Sequence, residues 1–221
     1  EFQKQFKKFF GVKTECIYNP LNKKEILEKS KIEINLNFFK DSKKLKILNI
    51  GRFTDQKDHH TLLESIKILK NKYKLNFILL IMGRGKNKKD IQNFINKNNL
   101  KPNVKVIGFK KNPYKYIRHC NLFVLSSRFE GLPNVLLEAI TLKKFVISAN
   151  CPTGPSEILN NGKGGLLFKT GSPNDLAKKI IYYCNNKKKL QKKIDFAYNN
   201  LNRFDFNTNL MKYLKVITDL F

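Results

Sequence analysis

From Leu45 onward, short apolar runs alternate with segments whose apolar residues recur at helical spacing. The runs Leu45–Ile50, Phe77–Met82, Val104–Ile107, Leu122–Leu125, Phe145–Ile147 and Leu166–Phe168 predict strands. Helices are expected at His59–Lys70, Lys88–Asn98, Pro113–Arg118, Asn134–Thr141, Ser156–Leu159 and Pro173–Asn185. Strands that are apolar throughout, each followed by a helical segment, predict an α/β fold: a doubly wound parallel sheet with helices on both faces. Ligands of such sheets bind beyond the carboxyl ends of the strands. The distinctive loops fall there: Gly51-Arg52, Gly83-Arg84-Gly85, Gly108-Phe109, and Ser126 to Pro133, after the first four strands in turn.

Ahead of this unit, Phe2, Phe6, Phe9 and Phe10 recur among Lys4, Lys7 and Lys8. They predict a short basic amphipathic helix, suited to a headgroup layer or to the face of another domain. Thr14–Tyr18 reads as a strand-like run, Asn19-Pro20 as a turn and Lys23–Lys31 as helical, together a connector between domains. The tail from Lys187 reads as two helices broken near Arg203–Asn207. Leu210, Tyr213, Leu214, Ile217, Leu220 and Phe221 line one side of the second, an apolar side that calls for something to dock on. Glu1 in place of an initiator methionine reads as a chain that begins inside a longer protein.

Charge narrows the partners. Lys and Arg number 44 against 17 Asp and Glu, a net charge of +27, which ordinarily raises nucleic acid or an anionic membrane surface. Only five of the 44 are arginines (Arg52, Arg84, Arg118, Arg128, Arg203), whereas readers of bases and phosphates rely on arginine's bidentate fork. The lysines are also scattered among Asn and Ile. General bias, or attraction to a membrane surface, is therefore preferred, and nucleic acid is not expected as a partner. Cys16, Cys120, Cys151 and Cys184 show no metal or redox spacing, which fits a reduced cytoplasm. Cys120 and Cys184 are expected in the core, and Cys151, in a Pro/Gly turn, at the surface. No run reaches the ~18 apolar residues of a membrane span; the lysines' attraction to anionic surfaces and the cysteine usage lead to the expectation of a cytoplasmic chain, peripheral at the inner face of the membrane.

The candidate chemistry centres on Ser126–Ala139, where Glu130 and Glu138 flank a Gly131-Leu132-Pro133 turn that opens a helix. Pro133 suits the first helical position, and the N–H groups of Gly131, Leu132 and Asn134 can face an anion such as a diphosphate. At ~1.5 Å per residue, Glu138 stands about 7 Å along the helix from Pro133, roughly the step from a phosphate to the far side of a ribose. Arg52 and Lys57, on the loop leaving the first strand, can reach one anion and stabilise a departing diphosphate. The chain has no Asp-x-Asp and no ligand-spaced cluster, so no metal or other cofactor is expected. His59-His60 reads as surface residues of an exposed first turn, Asp58 as its N-cap, and His119 as structural. Gly83-Arg84-Gly85 falls short of a dinucleotide fingerprint. Phe109 suits either stacking on a base or the core.

These residues resemble the C-terminal, donor-binding domain of the family 4 retaining glycosyltransferases of the GT-B fold. The likeness rests on Tyr18-Asn19-Pro20, Gly51-Arg52 with Gln56-Lys57, Met82-Gly83, Gly108-Phe109, the Glu-x7-Glu pair in its Phe-Glu-Gly-Leu-Pro-Asn setting, and Pro155-Ser156-Glu157-Ile158 with Gly162 to Leu167. It implies that Glu138 holds the ribose hydroxyls, Glu130 faces the donor-sugar hydroxyls, and Arg52 with Lys57 binds the diphosphate. Gly131, Leu132 and Asn134 would donate backbone N–H groups, with Gly51, Phe109 and Pro133 completing the substrate site. Asn150 to Pro155 is similar to a subgroup that uses UDP-N-acetylhexosamines or UDP-hexoses on lipid-linked or surface glycans. Leu142-Lys143-Lys144 stands where the family usually carries a small residue and a glycine, so an altered turn and altered helix packing are expected there.

The same likeness divides the chain into 1–20, the end of an N-terminal domain with the connector, 21–186, a Rossmann-like nucleotide-sugar domain, and 187–221, helices that pack back on the N-terminal domain. The expected function is transfer of a hexose or N-acetylhexosamine from a UDP-sugar to a glycan or lipid-linked acceptor. This donor half alone would bind donor and turn over poorly. Two rivals stay open: a non-catalytic nucleotide-sugar-binding half that needs a separate acceptor-binding chain, and a basic module for anionic surfaces.

Overall fold

A computed structural model describes residues 2–12, 14–34, 36–39 and 43–219. Strands β1 (Leu45–Ile50), β2 (Phe77–Met82), β3 (Val104–Ile107), β4 (Leu122–Leu125), β5 (Phe145–Ala149) and β6 (Leu166–Phe168) form one parallel sheet in the order β3-β2-β1-β4-β5-β6. The chain builds outward from β1 to β3, then returns to lay β4 on the other side of β1, with Ile47 opposite Leu122. That reversal opens a crevice at the carboxyl ends of β1 and β4, the place where this topology binds ligands. β5 runs to Ala149, two residues beyond its expected end, because Ser148 and Ala149 still pair with Leu167 and Phe168 of β6.

Alternation along the strands divides the core. Ile47, Leu79, Ile81, Val124 and Ile147 face the first cluster, with Leu62 and Ile66 of α3 (His59–Asn71), Ile91 of α4 (Lys88–Lys97) and Ile180 of α8 (Pro173–Asn185). Leu48, Leu80, Phe123 and Val146 face the second. There they meet Ile26 of α2 (Lys23–Ser30), Ile117 of α5 (Tyr114–His119) and Leu136 and Ile140 of α6 (Asn134–Thr141). Both faces are thus dry, as uninterrupted apolar strands require.

Outside the sheet, α1 (Phe2–Phe10) forms as expected and leaves Phe6, Phe9 and Phe10 exposed; Glu1 and the side chains of Phe2 and Lys4 lie outside the described residues. Thr14–Tyr18 is not a strand. It lies against the C-terminal turn instead of a sheet edge: the Tyr18 ring packs tilted at 4.7 Å from that of Phe204, and Tyr18 N–H donates to Asn209 Oδ1. After α7 (Pro155–Ile158) and α8, the tail forms α9 (Lys187–Asn199) and α10 (Phe206–Thr218), separated by a 3-10 turn at Asn200–Phe204 and the N-cap Asp205. Leu210, Tyr213, Leu214 and Ile217 of α10 are exposed, and Leu220 and Phe221 lie outside the described residues. Among the described residues no helix is long and apolar enough to cross a membrane.

The Leu142-Lys143-Lys144 turn departs from expectation instructively. Lys143 itself adopts the left-handed conformation (φ 51°), and Lys144 N–H closes the helix end on Ala139 O at 3.0 Å. The turn therefore survives without glycine, and the packing of α6 is intact, with Leu136, Leu137, Ala139 and Ile140 buried. The Lys143 ammonium lies 4.7 Å from the Tyr198 ring centroid and offsets part of the strain. In chemical denaturation, Lys143→Gly is expected to be more stable than Lys143→Ala by about 1 kcal/mol, since both lose that contact and only glycine relieves the backbone. Equal stabilities would show the turn to be unstrained.

Candidate functional site

The crevice between β1 and β4 is closed by two loops that grip each other. After β1, Gly51 is followed by a 3-10 turn at Asp55–Lys57. A Cβ at Gly51 would stand 3.3 Å from Lys57 Cγ, so its absence lets the lysine stem lie along the backbone. Ser126 Oγ donates to Lys57 O at 2.8 Å, and Arg128 N–H donates to Gln56 O at 2.8 Å. Gln56 in turn donates to Phe129 O at 3.0 Å and accepts from Arg52 Nη2 at 3.3 Å. At the centre, Lys57 Nζ meets Glu130 Oε1 at 2.5 Å, with the two side chains only 15% and 7% exposed. Ser127 Oγ donates to the same carboxylate oxygen at 2.6 Å. Arg52 is exposed above this pair.

The Gly131-Leu132-Pro133 turn follows directly. Gly154, from the loop after β5, packs against it at φ 83°, and a Cβ there would fall 2.0 Å from Gly131 O. Thr153 donates to Glu130 O from the same loop. The N–H groups of Gly131, Leu132 and Asn134 donate to no acceptor among the described residues. Pro133 occupies the N-cap rather than the expected first helical position: its ψ of 96° is extended, while its carbonyl already accepts from Leu136 N–H at 2.9 Å.

Glu138 lies one turn into α6 and lines a hollow of about 290 Å³ together with Asn134, Tyr114, Asn19 and Glu25. Its carboxylate makes no hydrogen bond or ion pair among the described residues, and burial alone pushes its pKa up to about 7. A desolvated carboxylate without a donor is unfavourable until something supplies one. The hollow runs along the first turn of α6, from the free N–H of Asn134 to Glu138, the direction expected for a phosphate followed by a ribose. Tyr114, at the start of α5, was not singled out in the sequence, although it too follows a strand's carboxyl end. Burial, and after it the charges of Glu138 and Glu25, raises its own pKa.

Several expectations are corrected. Of the two readings open for Phe109 the core is excluded, since it is 63% exposed with Arg84 5.3 Å from its ring centroid; it does not line the Glu138 hollow. His59 is buried rather than exposed, edge-on to the buried Phe53 at 5.3 Å, because the left-handed Asp58 N-cap (φ 45°) turns it inward; only His60 is at the surface. Asp58 caps α3 as expected, accepting from Thr61 N–H at 3.1 Å. Cys151 is buried, its Sγ 3.7 Å from Thr153 O, and Cys16 is the exposed cysteine.

A family model described as Glycosyl transferases group 1 matches residues 30–200. The chain is 49% identical over 123 residues to a glycosyltransferase of Methanocaldococcus jannaschii, covering 56% of this chain and 30% of that protein. It is 31% identical over 211 residues to the N,N'-diacetylbacillosaminyl-diphospho-undecaprenol alpha-1,3-N-acetylgalactosaminyltransferase of Campylobacter jejuni, covering 95% of this chain and 50% of that protein. The chain thus spans half or less of the length of these curated relatives. The crystal structure of Anabaena HepE with UDP-glucose has the same fold, with a TM-score of 0.84 at 21% identity over 98% of this chain and 61% of that one.

The raised pKa of Glu138 carries a stability signature. Its neutral form is favoured in the folded protein, so stability is full below pH ~4.5, falls as the unfolded chain ionises, and levels out above pH ~7. Glu138→Gln removes the ionisation. Its advantage over wild type is expected to grow between pH 4.5 and 7 and to reach about 2–3 kcal/mol above that range. Denaturation curves at pH 4.5 and 8 check this; a pH-independent difference would place Glu138 in contact with water or a donor.

Proposed function

The chain belongs to the group 1 glycosyl transferase family, and we propose that it is the donor-binding half of a retaining, UDP-sugar-dependent transferase of the family 4 type. In this reading a hexose or N-acetylhexosamine passes to a glycan or lipid-linked acceptor at the cytoplasmic face of a membrane. The observation that carries it is the joining of the β1 and β4 loops through Lys57 and Glu130 at the topological switch point. Free amides and a partnerless carboxylate continue the same line along α6.

The chemistry follows from charge. As the bond between sugar and UDP breaks, negative charge grows on the terminal phosphate. Arg52, Lys57 and the N–H groups of Gly131, Leu132 and Asn134 would stabilise it from fixed positions. Glu130 holds Lys57. With donor bound, it would accept from sugar hydroxyls while Lys57 turns to the phosphate. Glu138 would accept from both ribose hydroxyls, which ends its isolation. Gly51 and Pro133 shape the loops, and Phe109, exposed on the rim, would be available for a base.

The lipid-linked reaction named for the Campylobacter relative and the UDP-glucose in the HepE structure support the choice of acceptor and donor. The exposed apolar residues of α1 support reading 1–20 as the end of an acceptor-binding N-terminal domain, and those of α10 support packing of that helix on it; Leu190, Ala197, Leu201 and Phe204 of the preceding stretch are instead buried with the donor-holding unit 21–186. Closure between two such domains would align the reactants and exclude water.

By calorimetry, Glu138→Ala is expected to weaken UDP binding about tenfold. Glu130→Ala is expected to keep or raise UDP affinity, because Lys57 is released, while weakening the UDP-sugar. Equal effects of each variant on both ligands would contradict the assignment. UDP binding is also expected to persist in excess EDTA, since the clamp is made of side-chain cations; a strict metal requirement would remove Arg52 and Lys57 from that role.

A further inference from the structure

The turn that carries Lys57 toward Glu130 has a second side. There Thr54, Gln56 and Asp58 wall a cavity of about 500 Å³, completed by α3, the start of α4 and Arg128-Phe129. None of the roles above uses it, and its volume falls in the range of small-ligand sites.

The cavity's charge is anomalous. Three carboxylates, Asp55, Asp58 and Asp90, line it against two cations, Lys86 and Arg128, in a chain whose net charge is +27. Both cations are already engaged: Lys86 Nζ lies 2.9 Å from Asp55, and Arg128 Nε lies 3.2 Å from Asp58. An anionic ligand would therefore find no spare cation. Among the described residues no three His, Cys, Asp or Glu side chains group as metal ligands, so the carboxylates do not make a cation site.

The apolar part of the wall combines Leu63 and Ile91 with two aromatic rings. Phe129 is 58% exposed, and Phe94 meets the edge of His60 at 5.6 Å. Thr54 Oγ1 and both ring nitrogens of His59 are buried behind the wall and shielded from the cavity, so the polar groups that face it are those of Gln56, Asn87 and Asp90. A hydroxyl can donate to the Asp90 carboxylate or to Asn87 Oδ1, acceptors that would repel an anion.

We propose that this cavity binds a neutral, hydroxyl-rich sugar ring of the acceptor glycan, with Phe94 and Phe129 against its apolar face and Asp90 and Asn87 among its hydroxyl partners. The identity of the ring as acceptor rests on the function proposed above. Phe129 is bonded directly to Glu130, and its carbonyl is held by Gln56, so a ring seated here adjoins the site assigned to the donor sugar.

Saturation-transfer NMR on the 221-residue chain, with N,N′-diacetylchitobiose as the neutral probe and glucuronate as the anionic one, tests the assignment. The neutral disaccharide is expected to bind, and to remain bound when UDP is saturating. Phe94→Ala is expected to weaken it about tenfold, and the surface variant Asp90→Ala severalfold, with UDP affinity unchanged in both. No transfer to the disaccharide at ~10 mM, binding indifferent to both variants, or a preference for glucuronate overturns the proposal. A UDP titration of the same sample separates the two claims. UDP bound without disaccharide removes the cavity assignment alone; disaccharide bound without UDP upholds the sugar site and removes the donor reading.

Discussion

Lys57 and Glu130 meet at 2.5 Å between loops that leave neighbouring parallel strands 73 residues apart in sequence. Their side chains are largely shielded from water, so removing either would leave a charge with neither partner nor solvent, at a cost on the order of 3 kcal/mol. Everything at the crevice is referenced to this pair. Ser126 and Ser127 hold its two ends, Gln56 ties Phe129 and Arg52 to it, and Gly154 and Thr153 brace the turn that begins one residue later. A lysine and a carboxylate locked together look structural in isolation. Here they also mark where phosphate and sugar would divide, because the free amides lie on one side of Glu130 and the wall of the larger cavity on the other.

The sheet was legible because burial on both faces leaves its strands apolar throughout, and the helices because their caps and periodicity agree with it. The glutamates were legible for a different reason: both sit beside a glycine-proline turn at a strand's carboxyl end. What could not be read was direction. His59 follows an N-cap, and sequence placed it on an exposed turn, but the left-handed backbone of Asp58 turns it onto Phe53. Cys151 lies in a Pro/Gly turn that sequence placed at the surface, yet that turn folds over the Glu130 segment. Thr14–Tyr18 has strand-like residues, but Tyr18 is drawn to Phe204 and Asn209 of the distant C-terminal segment. Tyr114 shares the Glu138 hollow through a tertiary contact between α5 and α6, which neither spacing nor composition encodes.

The chain's large positive charge contributes less to the site than its magnitude implies. Most lysines are exposed and scattered, and the residues that matter are few and placed against carboxylates. Around the crevice, charge is organised in short-range pairs whose geometry outweighs the screened field of distant lysines. The same contrast separates the two hollows. One ends in a single desolvated carboxylate that lacks a donor; the other is lined by two closed ion pairs, by Asp90 and by aromatic rings.

Backbone amide NMR of the labelled chain, titrated with UDP, tests most directly whether the β1 and β4 loops enclose one diphosphate. Resonances of Gly51 to Lys57 and of Gly131, Leu132 and Asn134 are expected to shift together along a single saturation curve, with those near Glu138 following at the same affinity. Shifts confined to one loop, or scattered over the lysine-rich surface and abolished by moderate salt, would show that no common phosphate site exists there.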